Sequence, residues 1–254
     1  MQIVNRIKKA LKERGVLGFV ARLFIKMIEP ARPFFWFLVA PIARWKITHL
    51  SEKQDIGRLF DFASTMCWGI IRPLQVREEI LSFLKIVEEE RPKVVLEIGT
   101  SFGGVLFLFS RVAHRDATII SIDLPGAQGG YPEWRKSIYK IFTLFNQSIS
   151  LIKADSHSKE TLSKVETILE NKSVDLLFID GDHTYEGAKH DFLMYKGLVR
   201  KGGIIAFHDV AQHSSESGCE VSRLWGEMKD AGKIVEIIKD KGQGWGGIGL
   251  FYVS

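Results

Sequence analysis

From residue 74 onward, short apolar runs alternate with amphipathic stretches. REEILSFLKIVEEE puts Ile80, Leu84 and Val87 on one helical face, and Pro92 closes that helix. Apolar runs of strand length follow at 93–98 (KVVLEI), 118–123 (TIISID), 149–154 (ISLIKA), 174–180 (VDLLFID) and 203–209 (GIIAFHD), with two more near 234–239 and 248–253. Helical patterns separate them over 104–114, 134–146, 158–170, 185–199 and 220–231. Nearly continuous apolar strands separated by helices predict a mostly parallel sheet covered on both faces. Right-handed crossovers make it a doubly wound α/β fold of seven strands.

The first 50 residues follow another pattern. Ile3, Ile7, Ala10 and Leu11 form a helical stripe, and a second apolar helix fits Phe19 to Ile28. The uncharged run PFFWFLVAPIA follows, bounded by Arg32 and Arg44. Its 11 residues fall short of the ~20 that a spanning helix needs, and no small-residue cleavage pattern marks a signal peptide. Two readings stand: an aromatic, basic helical arm on an anionic membrane surface, or an arm packed on its own domain or on a second copy in a homo-oligomer. The boundary is set at 50, with a domain over 51–254.

Charge separates the same two parts. Residues 1–50 carry ten Lys and Arg against two acids, a balance of +8; the remainder has 25 basic and 28 acidic residues, or −3. The overall +5 therefore describes the arm, and a slightly acidic domain is a poor partner for nucleic acid. The two cysteines, Cys67 and Cys219, make no disulfide framework and no paired metal motif, which suits a reducing cytoplasmic compartment, with the inner membrane face as the arm's alternative.

In a doubly wound sheet, ligands bind beyond the carboxyl ends of the strands. Those ends read Glu97-Ile-Gly99-Thr100-Ser101-Phe-Gly103-Gly104, Asp123-Leu-Pro, Asp155-Ser156-His157, Asp180-Gly-Asp182-His183 and His208-Asp209. A glycine loop between strand and helix permits a tight turn and close approach of a ligand. Asp123, at the end of the next strand, is placed to reach ribose hydroxyls. Glu97 lies two residues before the first glycine, where its charge would repel the pyrophosphate of a dinucleotide. It suits a cationic nucleoside such as S-adenosylmethionine. E-x-G-T-S-x-G-G followed by I-S-I-D resembles the first two motifs of class I S-adenosylmethionine-dependent methyltransferases.

The stretch FIDGDHTYEGAKHDFLMYKGLVRKGGIIAFHDV sharpens the resemblance. With IRPLQVREEI, SIDLPG and ADSH, it is similar to a bacterial family labelled cephalosporin hydroxylase or rhamnosyl O-methyltransferase-like, related to the catechol-type O-methyltransferases. The likeness runs from about Ile71 to Gly249 and does not cover residues 1–50 well. It implies a Rossmann-like methyltransferase sheet. Glu97 and Gly99–Gly104 would hold the methionine end of the cofactor, Asp123 the ribose, and Asp155 and Ser156 the adenine; Asp155 also fits a helix cap.

Methylating a hydroxyl requires removal of its proton, by a general base or by a metal that lowers its pKa. His183 is the candidate base, at the position where the catechol-type relatives carry Lys; the alternative is a structural His capping the next helix. Asp180, His208 and Asp209, on neighbouring strand ends, are the candidate ligands of Mg²⁺ or Mn²⁺. His208 departs from the acidic pattern of metal-dependent relatives and favours Mn²⁺ or another transition ion. A metal-free site would have Asp180 orienting His183. Asp182 and His157 are expected as hydrogen-bonding partners. Tyr131 and Trp134 offer aromatic faces to a sugar, or pack a lid. The acceptor is expected to be a sugar, a glycan or glycolipid intermediate, or a secondary metabolite. The rival readings are a nicotinamide oxidoreductase, which Glu97 and the loop spacing oppose, and a non-catalytic membrane-associated protein that keeps the fold.

Overall fold

The computed structural model describes residues 32–50, 54–229 and 232–254. The predicted helices at Ile3–Leu11 and Phe19–Ile28 lie outside them. A helix over Arg32–Thr48 (α1) takes up the aromatic run and tolerates Pro41 within it. Phe35, Leu38, Ile42 and Trp45, spaced to fall along one stripe, are all exposed. The compact unit that carries the sheet spans Ala43–Ser254.

That unit holds helices Ile56–Thr65 (α2) and Arg77–Glu90 (α3), then strands Val94–Ile98 (β1), Thr118–Asp123 (β2), Ser148–Lys153 (β3), Val174–Ile179 (β4), Val199–His208 (β5), Ile234–Ile237 (β6) and Ile248–Tyr252 (β7). Between them run Gly104–Val112 (α4), the short Lys136–Tyr139 (α5), Lys159–Leu169 (α6), Tyr185–Tyr195 (α7) and Val221–Met228 (α8). The seven strands are ordered β3-β2-β1-β4-β5-β7-β6. All neighbours are parallel except β7, which runs antiparallel to β5 and β6. This is the predicted doubly wound sheet with one reversed strand. Strand β5 starts four residues earlier than the apolar run suggests, and the β4–β5 register shifts between Val174 and Leu176.

Alternation along each strand sorts the two faces. Val94, Leu96 and Ile98 face one layer with Val165 and Leu169 of α6, Tyr185 and Tyr195 of α7, and Leu224 and Trp225 of α8. On the other face Phe178 of β4 meets Phe83 of α3 and Phe109 of α4, with ring centroids 5.7 and 5.6 Å apart. Glu97 lies on this second face. In register it sits beside Ser121 of β2 and Phe178 of β4, which is why a carboxylate is fully buried there.

The predicted helix over 134–146 is instead a series of single turns, Glu133–Arg135, Lys136–Tyr139 and Lys140–Phe142. Tertiary hydrogen bonds override its helical pattern. The Arg135 guanidinium donates to the Ile70 and Phe102 carbonyls, and Tyr139 Oη donates to Ser101 O at 2.9 Å. The segment is thereby pinned beneath the glycine loop.

Candidate active site

Strand order reverses between β1 and β4, so the crevice of this sheet opens past their carboxyl ends. The two ends are stitched together: Asp180 N donates to Ile98 O at 2.8 Å, and Gly99 N to Ile122 O at 2.9 Å. A cavity of about 220 Å³ lies there. Gly99, Thr100, Ser101 and Gly104 line one side, Asp180, His183, His208 and Asp209 another, and Arg72, Gln75 and Trp245 contribute from elsewhere.

The glycines answer first to protein packing. A Cβ on Gly99 (φ +100°) would lie 2.0 Å from the Asp180 carbonyl oxygen, and one on Gly103 (φ +76°) 2.4 Å from the Tyr139 ring. Gly103 caps α4, and Gly104 presses on the Arg72–Pro73 backbone. Ser101 takes a positive φ of 47° without being glycine, which turns its N–H onto Asp123 Oδ2 at 2.7 Å. Asp123 Oδ1 accepts from Leu124 N, and burial raises this carboxyl's pKa.

Glu97 sits beneath the loop, linked through Ser121 to Thr100 by hydroxyl hydrogen bonds. Its Oε1 is buried with no hydrogen-bond partner. Burial pushes the Glu97 pKa up to about 8; the Ser121 bond opposes this, and the nearby Asp180 and Asp123 charges add to it. A buried carboxyl with one open oxygen, beside two more carboxylates, is suited to a cation.

Asp180, His208 and Asp209 come together as their strand positions predict: one donor atom from each lies within 4.8 Å of the others. His208 Nδ1 is 3.2 Å from Asp180 Oδ1 and 3.3 Å from Asp209 Oδ2. Burial disfavours the charged imidazole, but the two carboxylates outweigh it and raise the His208 pKa to about 10. Asp209 has φ +63°, a strained position for a non-glycine residue that aims its carboxylate back over the strand end. Burial would raise its pKa; hydrogen bonds from His183 and His208 win and hold it far below the usual carboxylate range.

His183 does not pair with Asp180. Its Nδ1 donates to Asp209 Oδ2 at 2.9 Å, and this bond raises its pKa. Nor does it cap α7: that cap is Thr184, whose Oγ1 accepts from Gly187 N. Asp155 likewise is not the cap of α6. Ser158 is, while Asp155 Oδ1 accepts from His157 N in an exposed turn and Ser156 O accepts from Tyr195 Oη. Asp155 and Ser156 do not line the cavity above. Asp182 holds Thr184 N, and His157 lies 3.3 Å from buried Asp191. Tyr131 is buried with its ring 4.9 Å from that of Tyr139, so it presents no face to a sugar. Trp134 is partly covered by the Arg135 guanidinium.

Three participants escaped the sequence reading. Gln75 Nε2 donates to Asp180 Oδ2 at 2.9 Å, and His213 Nε2 lies 3.2 Å from Asp209 Oδ1. Trp245 stands half-exposed on the cavity wall, and the next residue's amide, Gly246 N, donates to Asp209 Oδ1 at 3.0 Å. Of the three, His213 had a local signal, as the imidazole four residues after Asp209.

A family described as a methyltransferase domain matches residues 96–210, the segment from β1 through the end of β5. That match covers a little under half of the chain. Among curated proteins the chain resembles the uncharacterized protein R132 of Acanthamoeba polyphaga mimivirus, 31% identical over 138 residues, which is 54% of this chain and 61% of that protein. It also resembles the uncharacterized protein y4gI of Sinorhizobium fredii, 28% identical over 148 residues, 56% of this chain and 16% of that one. The chain thus spans about three-fifths of the first relative and a small part of the second.

Three solved structures share the fold of this chain. The O-methyltransferase TomG of Streptomyces achromogenes, in complex with S-adenosylmethionine, aligns over 80% of this chain and 91% of its own, at a TM-score of 0.51 and 14% identity. An O-methyltransferase of Bacillus cereus in complex with S-adenosylhomocysteine aligns over 84% and 97%, at 0.54 and 15%. A putative caffeoyl-CoA O-methyltransferase of Staphylococcus aureus aligns over 80% and 94%, at 0.55 and 16%.

Proposed function

We propose that this protein is an S-adenosylmethionine-dependent O-methyltransferase acting on a hydroxyl of a sugar, a glycan or glycolipid intermediate, or a secondary metabolite. The observation that carries the reading is the buried Glu97 with an unpartnered oxygen under a glycine loop, where that loop and a network of Asp and His side chains linked at 2.9–3.3 Å line one cavity. S-adenosylmethionine, when bound, supplies an electrophilic methyl group. Glu97 and the loop Gly99–Gly104 would hold its cationic methionine end, Asp123 its ribose, and Asp155 with Ser156 its adenine edge. Residues 51–254 form the catalytic domain in this reading.

His183 is the general base. Its Nδ1–H is committed to Asp209, so Nε2 carries the lone pair that takes the acceptor proton. Asp209 steadies the imidazolium that results, much as a buried carboxylate does in other His-based sites. Asp180, His208 and Asp209 fit a divalent ion, since two carboxylates and one imidazole converge there and Gln75 orients Asp180 from outside. The nitrogen donor suits Mn²⁺ or another transition ion better than Mg²⁺. When bound, such an ion would lower the pKa of the acceptor hydroxyl.

Calorimetry with S-adenosylhomocysteine tests the cofactor. Wild type should bind and Asp123→Ala should bind at least ~10-fold more weakly, from loss of a charge-assisted contact; no binding by wild type overturns the reading. His183→Ala should lose ~10²–10⁴-fold in turnover while keeping cofactor affinity. Turnover that survives exhaustive EDTA removes the metal and leaves the His183–Asp209 pair alone.

The exposed stripe Phe35, Leu38, Ile42 and Trp45 on α1, together with the +8 balance of residues 1–50, supports a second element. The arm lies on an anionic membrane surface, on the cytoplasmic side, where a lipid-linked acceptor would be found. Among the described residues no helix is long and apolar enough to cross a membrane.

A further inference from the structure

Asp209 belongs to two sets of metal-ligating side chains. Besides Asp180 and His208, it converges with His183 and Cys219, whose donor atoms also lie within 4.8 Å of one another. Cys219 is partly exposed and its thiol is free. Its segment is tied to His183 by the main chain, through Glu220 N to His183 O at 2.8 Å. Only one Asp209 oxygen serves both sets. Oδ1 is occupied by Gly246 N and His213 Nε2, while Oδ2 faces both His183 Nδ1, at 2.9 Å, and His208 Nδ1, at 3.3 Å. Two ligands about 2.1 Å from one ion, in adjacent positions, lie ~3.0–3.4 Å apart, so the His183–Asp209 pair has to open by only a few tenths of an ångström to share a cation.

We infer that His183, Asp209 and Cys219 form an inhibitory site for a thiophilic divalent cation of the Zn²⁺ class, distinct from the carboxylate-rich Asp180–His208–Asp209 set. A thiolate, an imidazole and one carboxylate oxygen are a soft donor set that Mg²⁺ avoids and Zn²⁺ prefers. The bound ion displaces the thiol proton to solvent and takes the Nδ1 position of His183, whose proton moves to Nε2 and leaves that nitrogen without the lone pair the base needs. It also draws Asp209 Oδ2 away from His208. His183 then has no hydrogen bond from Nδ1 to Asp209, and the base is fixed in the wrong role. The inhibitory consequence rests on the methyl-transfer reading; the binding site does not.

Cobalt is the probe, because a thiolate bound to Co²⁺ gives a near-ultraviolet charge-transfer band. The full chain, with neither methyl donor nor acceptor present, should develop this band as Co²⁺ is added. Zn²⁺ should abolish it stoichiometrically and Mg²⁺ should not. C219S should lose the band and bind Zn²⁺ at least ~10-fold more weakly in chelator competition, with an unchanged circular dichroism spectrum, while C67S keeps both. A band that is absent in wild type, or that persists in C219S, overturns the site. If the band behaves as expected, wild-type turnover should fall with micromolar Zn²⁺ and C219S should resist; equal sensitivity overturns the inhibitory role while the absence of any turnover would count against the methyl-transfer reading instead.

Discussion

Glu97 shows how one buried group ties chemistry to stability. Its carboxyl is held near a pKa of about 8 by burial, against an ordinary value of 4.5. An acid whose folded pKa lies above its unfolded one costs the fold stability as pH rises between the two values. Glu97→Gln should therefore raise the melting midpoint relative to wild type at pH 9 and change it little at pH 4; a pH-independent difference would contradict the buried, protonated group. On the proposed reading, in which Glu97 meets the cationic end of the cofactor, the same shift predicts proton release on binding. At pH 7 the carboxyl holds a proton that it must give up to pair with the ligand ammonium. Calorimetry of S-adenosylhomocysteine in buffers of different ionisation enthalpy should show close to one proton released by wild type and none by the Gln variant.

Among elements, the pairing of α3 and α4 against β4 supports the cavity wall. Phe83 is fully buried between Phe109 and Phe178, and α3 also carries buried Glu79, whose carboxylate accepts from Lys239 N, Gln243 Nε2 and Gly247 N. That cluster of bonds sets the loop bearing Trp245 and Gly246, and so the backing of Asp209. Phe83→Ala should cost ~3–5 kcal/mol in urea unfolding. The apolar periodicity placed α3 to within its observed ends and located all seven strands. It failed over 134–146, because Arg135 and Tyr139 are drawn to carbonyls of other segments and no local pattern records that. The strand-end carboxylates were legible for the same reason that the strands were. Their partners were not: spacing suggested Asp180 for His183, and the left-handed turn at Asp209 makes Asp209 the partner.

Across the whole molecule, charge is divided between a cationic N-terminal segment and a slightly acidic remainder. If α1 and the residues before it meet a membrane, the full chain should float with vesicles containing anionic lipid, release as salt approaches ~0.5 M, and ignore neutral vesicles. L38E/I42E should weaken flotation without loss of fold. Indifference to anionic lipid in wild type would return the exposed stripe to protein contact, and concentration-dependent sedimentation would identify a second copy as its cover.

Hydropathy alone specified the layers, the strand count and which strand ends carry acid, because apolar periodicity and chain order limit a doubly wound sheet to few arrangements. Composition separated the arm from the domain. The chain order says nothing of which side chains far apart in sequence will meet. Gln75 reaching Asp180, Glu79 anchoring the loop at 239–247, and His183 reaching Asp209 all come from long-range packing. Those long-range contacts form only when segments distant in sequence lie side by side, and they bring the ends of β4 and β5 together as one cluster in which Asp209 meets both His183 and His208.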